Sequence, residues 1–218
     1  MSDVPQYPHS HGLLAGKTVL VTAAAGSGIG FATAKRCAEE GARVAISDIH
    51  ERRLDEAAET LADVSGIRPP AILANVASEE DVQRLFDDVL GVFGGLDVLV
   101  NNAGLGGTAN LIDMTDEQWS SVLDVTLNGT MRMTRAGLRH MMPRGSGVIV
   151  NNASVLGWRA QKGQAHYAAA KAGVMALTRC AAVEAADFGV RVNAVAPSLA
   201  MHPFLAKVTT DELLDELT

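Results

Sequence analysis

Cysteine is scarce in this chain: Cys37 and Cys180 are the only two among 218 residues, and neither stands in a metal-ligand spacing. That pattern gives no disulfide framework, so both are expected as buried, reduced thiols in a cytoplasmic protein. Basic charge is also in deficit. Lysine and arginine number 18 against 25 aspartates and glutamates, a net charge of −7. A pI near 5.3 gives no general attraction to nucleic acid or acidic lipid. No apolar run reaches the length of about 18 residues that a membrane span requires. The opening MSDVPQYPHSHG lacks the basic patch and apolar stretch of a secretory signal. Residues 1–12 read as a flexible tail, with His9 and His11 solvated and no metal site expected.

From residue 13 onward the pattern becomes regular, and residues 13–218 read as a single domain. Short apolar or β-branched runs occur at Thr18–Thr22, Arg43–Ser47, Ala71–Asn75, Asp97–Asn101, Gly147–Asn151 and Arg191–Ala196. Most are continuously apolar, as strands buried on both faces are. Between them, Gly30–Gly41, Glu51–Ser65, Glu79–Phe93, Asp116–Met142 and Ala165–Phe188 suit helices. Leu54, Ala57, Ala58 and Leu61 fall at i, i+3, i+4 and i+7, one apolar stripe on the second of these. Ser78 and Thr115 each precede a carboxylate-rich first turn and are expected to cap a helix. This alternation predicts an α/β, doubly wound parallel sheet of Rossmann type with six strands.

The first strand runs into Gly26-Ser27-Gly28-Ile29-Gly30 and then a helix. Such a turn lets backbone N–H groups approach a pyrophosphate at the positive end of a helix. Asp48 ends the second strand, 18 residues beyond Gly30. A carboxylate there accepts hydrogen bonds from ribose hydroxyls and repels a 2′-phosphate, so it selects NAD over NADP. Arg52 and Arg53 follow closely and are read as solvated charge in the next helix.

Tyr167 and Lys171 are four residues apart in a helical segment and therefore share one face. A neighbouring ammonium stabilises a phenolate and makes the phenol a usable general acid and base. Ser154 lies thirteen residues before Tyr167, just beyond the fifth strand. Loops at the carboxyl ends of parallel strands form the ligand crevice, where a serine hydroxyl can polarise a carbonyl.

Gly26–Gly30, Asn101-Asn102-Ala103-Gly104, Ser154, Tyr167, Lys171 and Asn193-Ala194-Val195-Ala196-Pro197 occur in an order and spacing that resembles the short-chain dehydrogenase/reductase family from about Leu14 onward. The resemblance implies hydride transfer between a nicotinamide ring and a carbon bearing a hydroxyl or carbonyl. Tyr167 would exchange the proton, Lys171 would bind the nicotinamide ribose and lower the phenol pKa, and Ser154 would hold the substrate oxygen. Asn102, Ala103 and Gly104 would support the nucleotide site. Several positions depart from the family pattern. Ala23 stands where the family's phosphate turn has its first glycine, and that turn is one residue longer here. Asn75, followed by Val76, replaces the aspartate that meets adenine. Thr126 replaces the asparagine of a proton relay to the lysine. Pro197 is followed by Ser198 and not glycine, leaving backbone near Leu199 and Ala200 to meet the nicotinamide.

The substrate pocket is expected between Val155–Gln164 and Met201–Leu217. Trp158, Met201, Phe204 and Leu205 give it apolar character, and Arg159, Gln161 and His166 are polar anchors. A large, mostly apolar alcohol or ketone fits, such as a 3-hydroxyacyl thioester or a steroid-like ketone. The alternatives are a non-catalytic nucleotide-binding protein, or a dehydratase or epimerase of the same fold. The family resemblance implies a homodimer or homotetramer through helices 116–142 and 165–188, and one further strand after the sixth. The natural chain is accordingly expected to continue beyond Thr218, since an apolar sixth strand is rarely left as a bare edge.

Overall fold

The computed structural model describes residues 6–198 and residue 200. Its six strands are β1 (Thr18–Thr22), β2 (Arg43–Asp48), β3 (Ala71–Leu73), β4 (Val98–Asn101), β5 (Gly147–Asn152) and β6 (Val190–Val195). They lie in the order β3-β2-β1-β4-β5-β6, and every neighbouring pair is parallel. Parallel neighbours need crossovers. These contain α1 (Ile29–Glu39), α2 (Glu51–Ser65), α3 (Glu79–Phe93), α4 (Asp116–Leu123), α5 (Gly129–Arg144) and α6 (Ala165–Ala186). The chain winds outward from β1 to β3, then crosses to β4 on the other side of β1. That reversal opens the crevice at the carboxyl ends of β1 and β4.

Alternation along the strands divides the core in two. Leu20 of β1 and Ala45 of β2 pack with Leu85, Phe86, Met133 and Ala181 of α3, α5 and α6. Their neighbours Val19, Val21, Val44 and Ile46 pack with Ala34 of α1 and with Leu54, Ala57, Ala58 and Leu61 of α2. The whole expected stripe on α2 is therefore buried. Each large aliphatic side chain so buried contributes about 1.5–3 kcal/mol. Strand β6 differs from the expectation of burial on both faces, since Val190 and Val192 are buried while Arg191 and Asn193 are exposed.

Both expected caps form. Ser78 Oγ accepts from Asp81 N at 3.2 Å, and Thr115 and Gln118 close a reciprocal capping box. Four expectations need correction. The helix anticipated over Asp116–Met142 is interrupted by a π turn at Asp124–Asn128, between α4 and α5. Strand β3 stops at Leu73, because Asn75 Oδ1 turns to accept from Ala77 N at 3.0 Å.

The tail is not loose over its described part. Tyr7 Oη donates to Glu39 at 2.6 Å, Arg36 donates to the carbonyls of Pro8 and His9, and Glu40 accepts from His11 N and Leu13 N. Cys180 is exposed and Cys37 half-buried; burial pushes the Cys37 thiol up to about 11. Leu199, Met201, Phe204 and Leu205 lie outside the described residues, as would any seventh strand.

Candidate active site

The glycine turn is shaped by what glycine leaves out. A Cβ at Gly30 would overlap Ala23 O and Asn102 Nδ2, whereas positions 26 and 28 have open space beside them. Gly26 has φ of 99°, a left-handed conformation that suits glycine. Ala23 also lies there, at φ of 49°, where an alanine Cβ is strained. The turn thus departs from the family pattern in residue type while keeping the backbone path that a glycine would adopt.

Thr22 ties β1 to β4: its Oγ1 accepts from Asn102 N at 2.9 Å and Ala103 N at 3.0 Å. Asn102 Nδ2 returns bonds to Thr22 O and Ala23 O. Asp48 closes the other side of the turn, with Oδ2 accepting from Ala25 N at 3.2 Å and Oδ1 from His50 N at 3.1 Å. Burial raises the Asp48 pKa, an effect opposed by the backbone amides of Ala25 and Ile49 and by Arg53. Asn75 is exposed at the end of β3, while Val76 is buried against Gly129. The open backbone at positions 26 and 28, the clearance at Gly30 and the strand-end carboxylate fit a dinucleotide.

The second half of the site lies at the ends of β4 and β5 and on α6. Ser154 is buried, its Oγ accepting from Leu156 N at 3.2 Å, and its hydroxyl stands beside the Tyr167 phenol. Burial raises the Tyr167 pKa, and the Ser154 hydroxyl opposes that rise. Lys171 is only 3% exposed, and burial lowers its pKa to about 8. Its ammonium donates to the carbonyl of Asn152 and lies 5.5 Å from the Tyr167 ring centroid. Lys171 thus stands over the Tyr167 ring, and the Ser154 hydroxyl opposes the rise that burial imposes on the phenol.

Thr126 comes to the site in a different capacity from the one anticipated. Its Oγ1 donates to Leu105 O at 3.0 Å and accepts from Leu105 N at 2.9 Å, pinning the loop after β4. With its single hydrogen already committed, it positions Leu105 and is not a free relay group. A Cβ at Gly104 would stand 3.6 Å from Lys171 Nζ and 3.7 Å from Thr126 Oγ1, so this glycine keeps the ground between them open. Pro197 O accepts from Val155 N at 3.0 Å, which seats it behind Ser154. His166, expected as a substrate anchor, is 2% exposed, and its Nδ1 accepts from Tyr167 N.

One participant escaped the sequence reading. Asn152 takes the Lys171 ammonium on its carbonyl and donates from Nδ2 to Asn102 Oδ1 at 2.9 Å. A second asparagine at the end of an apolar strand was the available signal. Among the described residues, no group of three metal-ligating side chains occurs, and no helix is long and apolar enough to cross a membrane.

A family model described as short chain dehydrogenase matches residues 17–213. A (5R,7aS)-5-hydroxy-7a-methyl-1-oxo-2,3,5,6,7,7a-hexahydro-1H-indene-carboxyl-CoA reductase of Mycobacterium tuberculosis is 58% identical over 219 residues, covering 100% of this chain and 83% of its own. A 3-oxoacyl-(acyl-carrier-protein) reductase of Staphylococcus aureus is 40% identical over 201 residues, covering 92% of this chain and 79% of its own. The crystal structure of a short chain dehydrogenase from Mycobacterium smegmatis superposes with a TM-score of 0.87 at 59% identity, covering 91% of this chain and 83% of that one.

Proposed function

The chain belongs to the short-chain dehydrogenase/reductase family, and from that premise we propose that it interconverts a secondary alcohol and a ketone on a bulky, mostly apolar acyl group carried as a coenzyme A thioester, with NAD as cofactor. It is an oxidoreductase of the class that acts on CH–OH groups, and the family as a whole uses NAD(P). The single observation that carries the reading is the buried Ser154 hydroxyl beside the Tyr167 phenol, with Lys171 one helical turn further along α6.

When bound, a nicotinamide dinucleotide supplies or accepts the hydride. The glycine turn and Asp48 hold its adenosine end, and the Asp48 carboxylate favours NAD because it repels a 2′-phosphate. Asn75, Val76, Asn102, Ala103, Gly104 and Pro197 complete the cofactor's surroundings.

The protein's own task is to handle the proton and to hold the substrate oxygen. Ser154 orients that oxygen against the Tyr167 phenol. Tyr167 gives its proton to the oxygen in reduction and takes it back in oxidation. Burial keeps the phenol protonated at neutral pH, as a general acid must be. Lys171, buried with one carbonyl partner, retains donors to direct at a ribose hydroxyl.

The substrate assignment draws on the coenzyme A ester named for the mycobacterial relative, and on Trp158 and Leu156 flanking the loop after Ser154. A second copy of the chain is assigned to the groove of about 610 Å³ between α5 and α6, where Met131, Leu138, Met142, Leu177 and Phe188 form an apolar lining. Cytoplasmic operation accords with a coenzyme A substrate.

The test follows NADH absorbance with a panel of ring-keto and 3-ketoacyl coenzyme A thioesters, run in parallel with NADPH. Turnover with NADH supports the proposal. Conversion of substrate with no net change in cofactor would indicate dehydratase or epimerase chemistry, and cofactor binding with no conversion would indicate a non-catalytic protein.

A further inference from the structure

We infer that Gly106 is a specificity-determining residue: the side chain it lacks leaves the room beside the Tyr167 ring that a ketone carried within a ring requires. The inference deepens the proposed reaction, from which it takes Tyr167 as the proton donor, and it concerns the acyl end of the substrate.

The loop after β4 crosses the face of α6 that carries the reacting groups. A Cβ at Gly104 would meet Lys171 Nζ at 3.6 Å, one at Gly106 would meet Tyr167 Cδ2 at 3.9 Å, and one at Gly107 would meet His166 Nε2 at 3.3 Å. Three glycines thus face three side chains in the first two turns of α6.

They are glycines for different reasons. Gly107 stands against His166, which is 2% exposed, so a side chain there has to displace a buried ring. Gly104 borders Lys171 and Thr126, the groups assigned to the cofactor and to the anchoring of Leu105. Neither reason applies to Gly106. Its Cβ would touch Tyr167 at ordinary van der Waals distance and meet nothing else within 4 Å. Its φ also lies outside the left-handed region that favours glycine. Packing and backbone conformation therefore both permit a side chain at 106. What that side chain would take is the ground next to the phenol, and residue 106 is exposed, so the ground is open to an incoming substrate.

The wall at this place is held on both sides. Thr126 Oγ1 grips Leu105 by its N–H and its carbonyl, at 2.9 and 3.0 Å. Gln164 Nε2 donates to Gly107 O at 2.8 Å and to Thr108 Oγ1 at 3.2 Å, and Ala109 N donates to Gly163 O at 3.0 Å. A wall pinned before and after Gly106 does not retreat from a bulky substituent, so its distance from the phenol sets the size limit. A ring ketone carries ring carbons on both flanks of its carbonyl, whereas a 3-ketobutyryl chain presents only a methyl on one of them. Bare backbone at 106 admits the first class; a branched side chain there would admit only the second.

The test compares kcat/KM of wild type, Gly106→Ala and Gly106→Val with NADH on two coenzyme A thioesters, one carrying a bicyclic ring ketone and one the 3-ketobutyryl group. Gly106→Val should lower the ring-ketone value by about tenfold to two-hundredfold, the discrimination that one or two carbons produce in a closed slot. Gly106→Ala should fall between, and the 3-ketobutyryl value should stay near wild type in both. Thermal melts accompany the kinetics. Where Gly106→Val melts lower, Gly106→Ala, whose Cβ meets no obstacle, carries the comparison.

An equal loss on both thioesters overturns the inference, because the new side chain then disturbs Tyr167 itself. No loss on either overturns it, because the ring then lies elsewhere. A wild type that converts the 3-ketobutyryl thioester alone overturns it as well. If wild type converts neither, the proposed reaction fails and the slot is read by binding, with calorimetric titration of the free bicyclic ketone into the full chain in the presence of NADH. Binding weakened severalfold by Gly106→Val then supports the slot, and equal or undetectable binding overturns it.

Discussion

Lys171 donates its ammonium to the carbonyl of Asn152, the last residue of β5, and that bond fixes where the site's one buried cation sits. Asn152 in turn donates to Asn102, which donates to Thr22 O and Ala23 O, so the lysine is linked through three strand ends to the glycine turn. Burial lowers the Lys171 pKa to about 8 from 10.5. The folded chain therefore resists charging it, and the unfolded chain does not.

This gives a stability prediction with a defined sign. Between pH 8 and 10.5 the unfolded state holds a proton on Lys171 that the folded state has released, so stability rises with pH through that window. Below pH 8 the penalty for the buried charge is fully present. Lys171→Met should raise stability at neutral pH by about 1–3 kcal/mol while lowering kcat about a hundredfold or more. Denaturant titration at several pH values, alongside turnover, checks both halves. A variant that is less stable than wild type at pH 7 would contradict the account.

The phosphate turn makes a second, paired prediction. Ala23 at φ of 49° carries strain that glycine would not. Ala23→Gly should therefore stabilise the protein by roughly 0.5 kcal/mol, the left-handed penalty less the extra entropy of an unfolded glycine. Gly30→Ala places a Cβ on Ala23 O and Asn102 Nδ2 and should cost about 1–3 kcal/mol along with NADH binding. Thermal melts with and without NADH read both.

Much of this was legible in the chain, and the failures share a cause. Side-chain patterns located α2 and α3 to the residue, the caps at Ser78 and Thr115, and the shared face of Tyr167 and Lys171. What they missed was set by the backbone. The Lys171 partner is a main-chain carbonyl, and Arg36 straps the N-terminal segment through the carbonyls of Pro8 and His9. Composition carries no trace of such bonds. The π turn at Asp124–Asn128 is hidden for a related reason: one extra residue in a turn leaves the apolar periodicity on either side intact. Only after that turn is seen does Thr126 become a loop anchor.

Asp48 makes the third prediction. Replacing it with alanine removes the acceptor for the ribose hydroxyls and the repulsion of a 2′-phosphate, and it also frees Ala25 N and His50 N. Asp48→Ala should weaken NADH binding about tenfold and narrow or reverse the preference over NADPH. Fluorescence titration of both cofactors measures this, and unchanged selectivity would remove the basis for assigning NAD.

His140 makes the fourth. Its Nε2 accepts from Leu96 N at 3.1 Å and faces Arg144 at 2.8 Å, so the neutral ring is the one that fits. Burial first, and Arg144 second, lower its pKa from 6.5. Stability is fully present above pH 6.5 and falls as pH drops below it, because the unfolded state then takes up a proton that the folded state refuses. His140→Gln, which keeps an acceptor and cannot titrate, should flatten that slope in melts taken across the acid range.

The measurement that bears most directly on the central claim is single-turnover reduction of a ring-keto coenzyme A thioester by Tyr167→Phe, followed by loss of NADH absorbance with cofactor and substrate both saturating. The account predicts that substrate and NADH still bind while the rate falls by about a hundredfold to ten-thousandfold, since the proton donor has gone and Ser154 remains. A wild-type rate in that variant would contradict it, and the proton would have to come from elsewhere in the site.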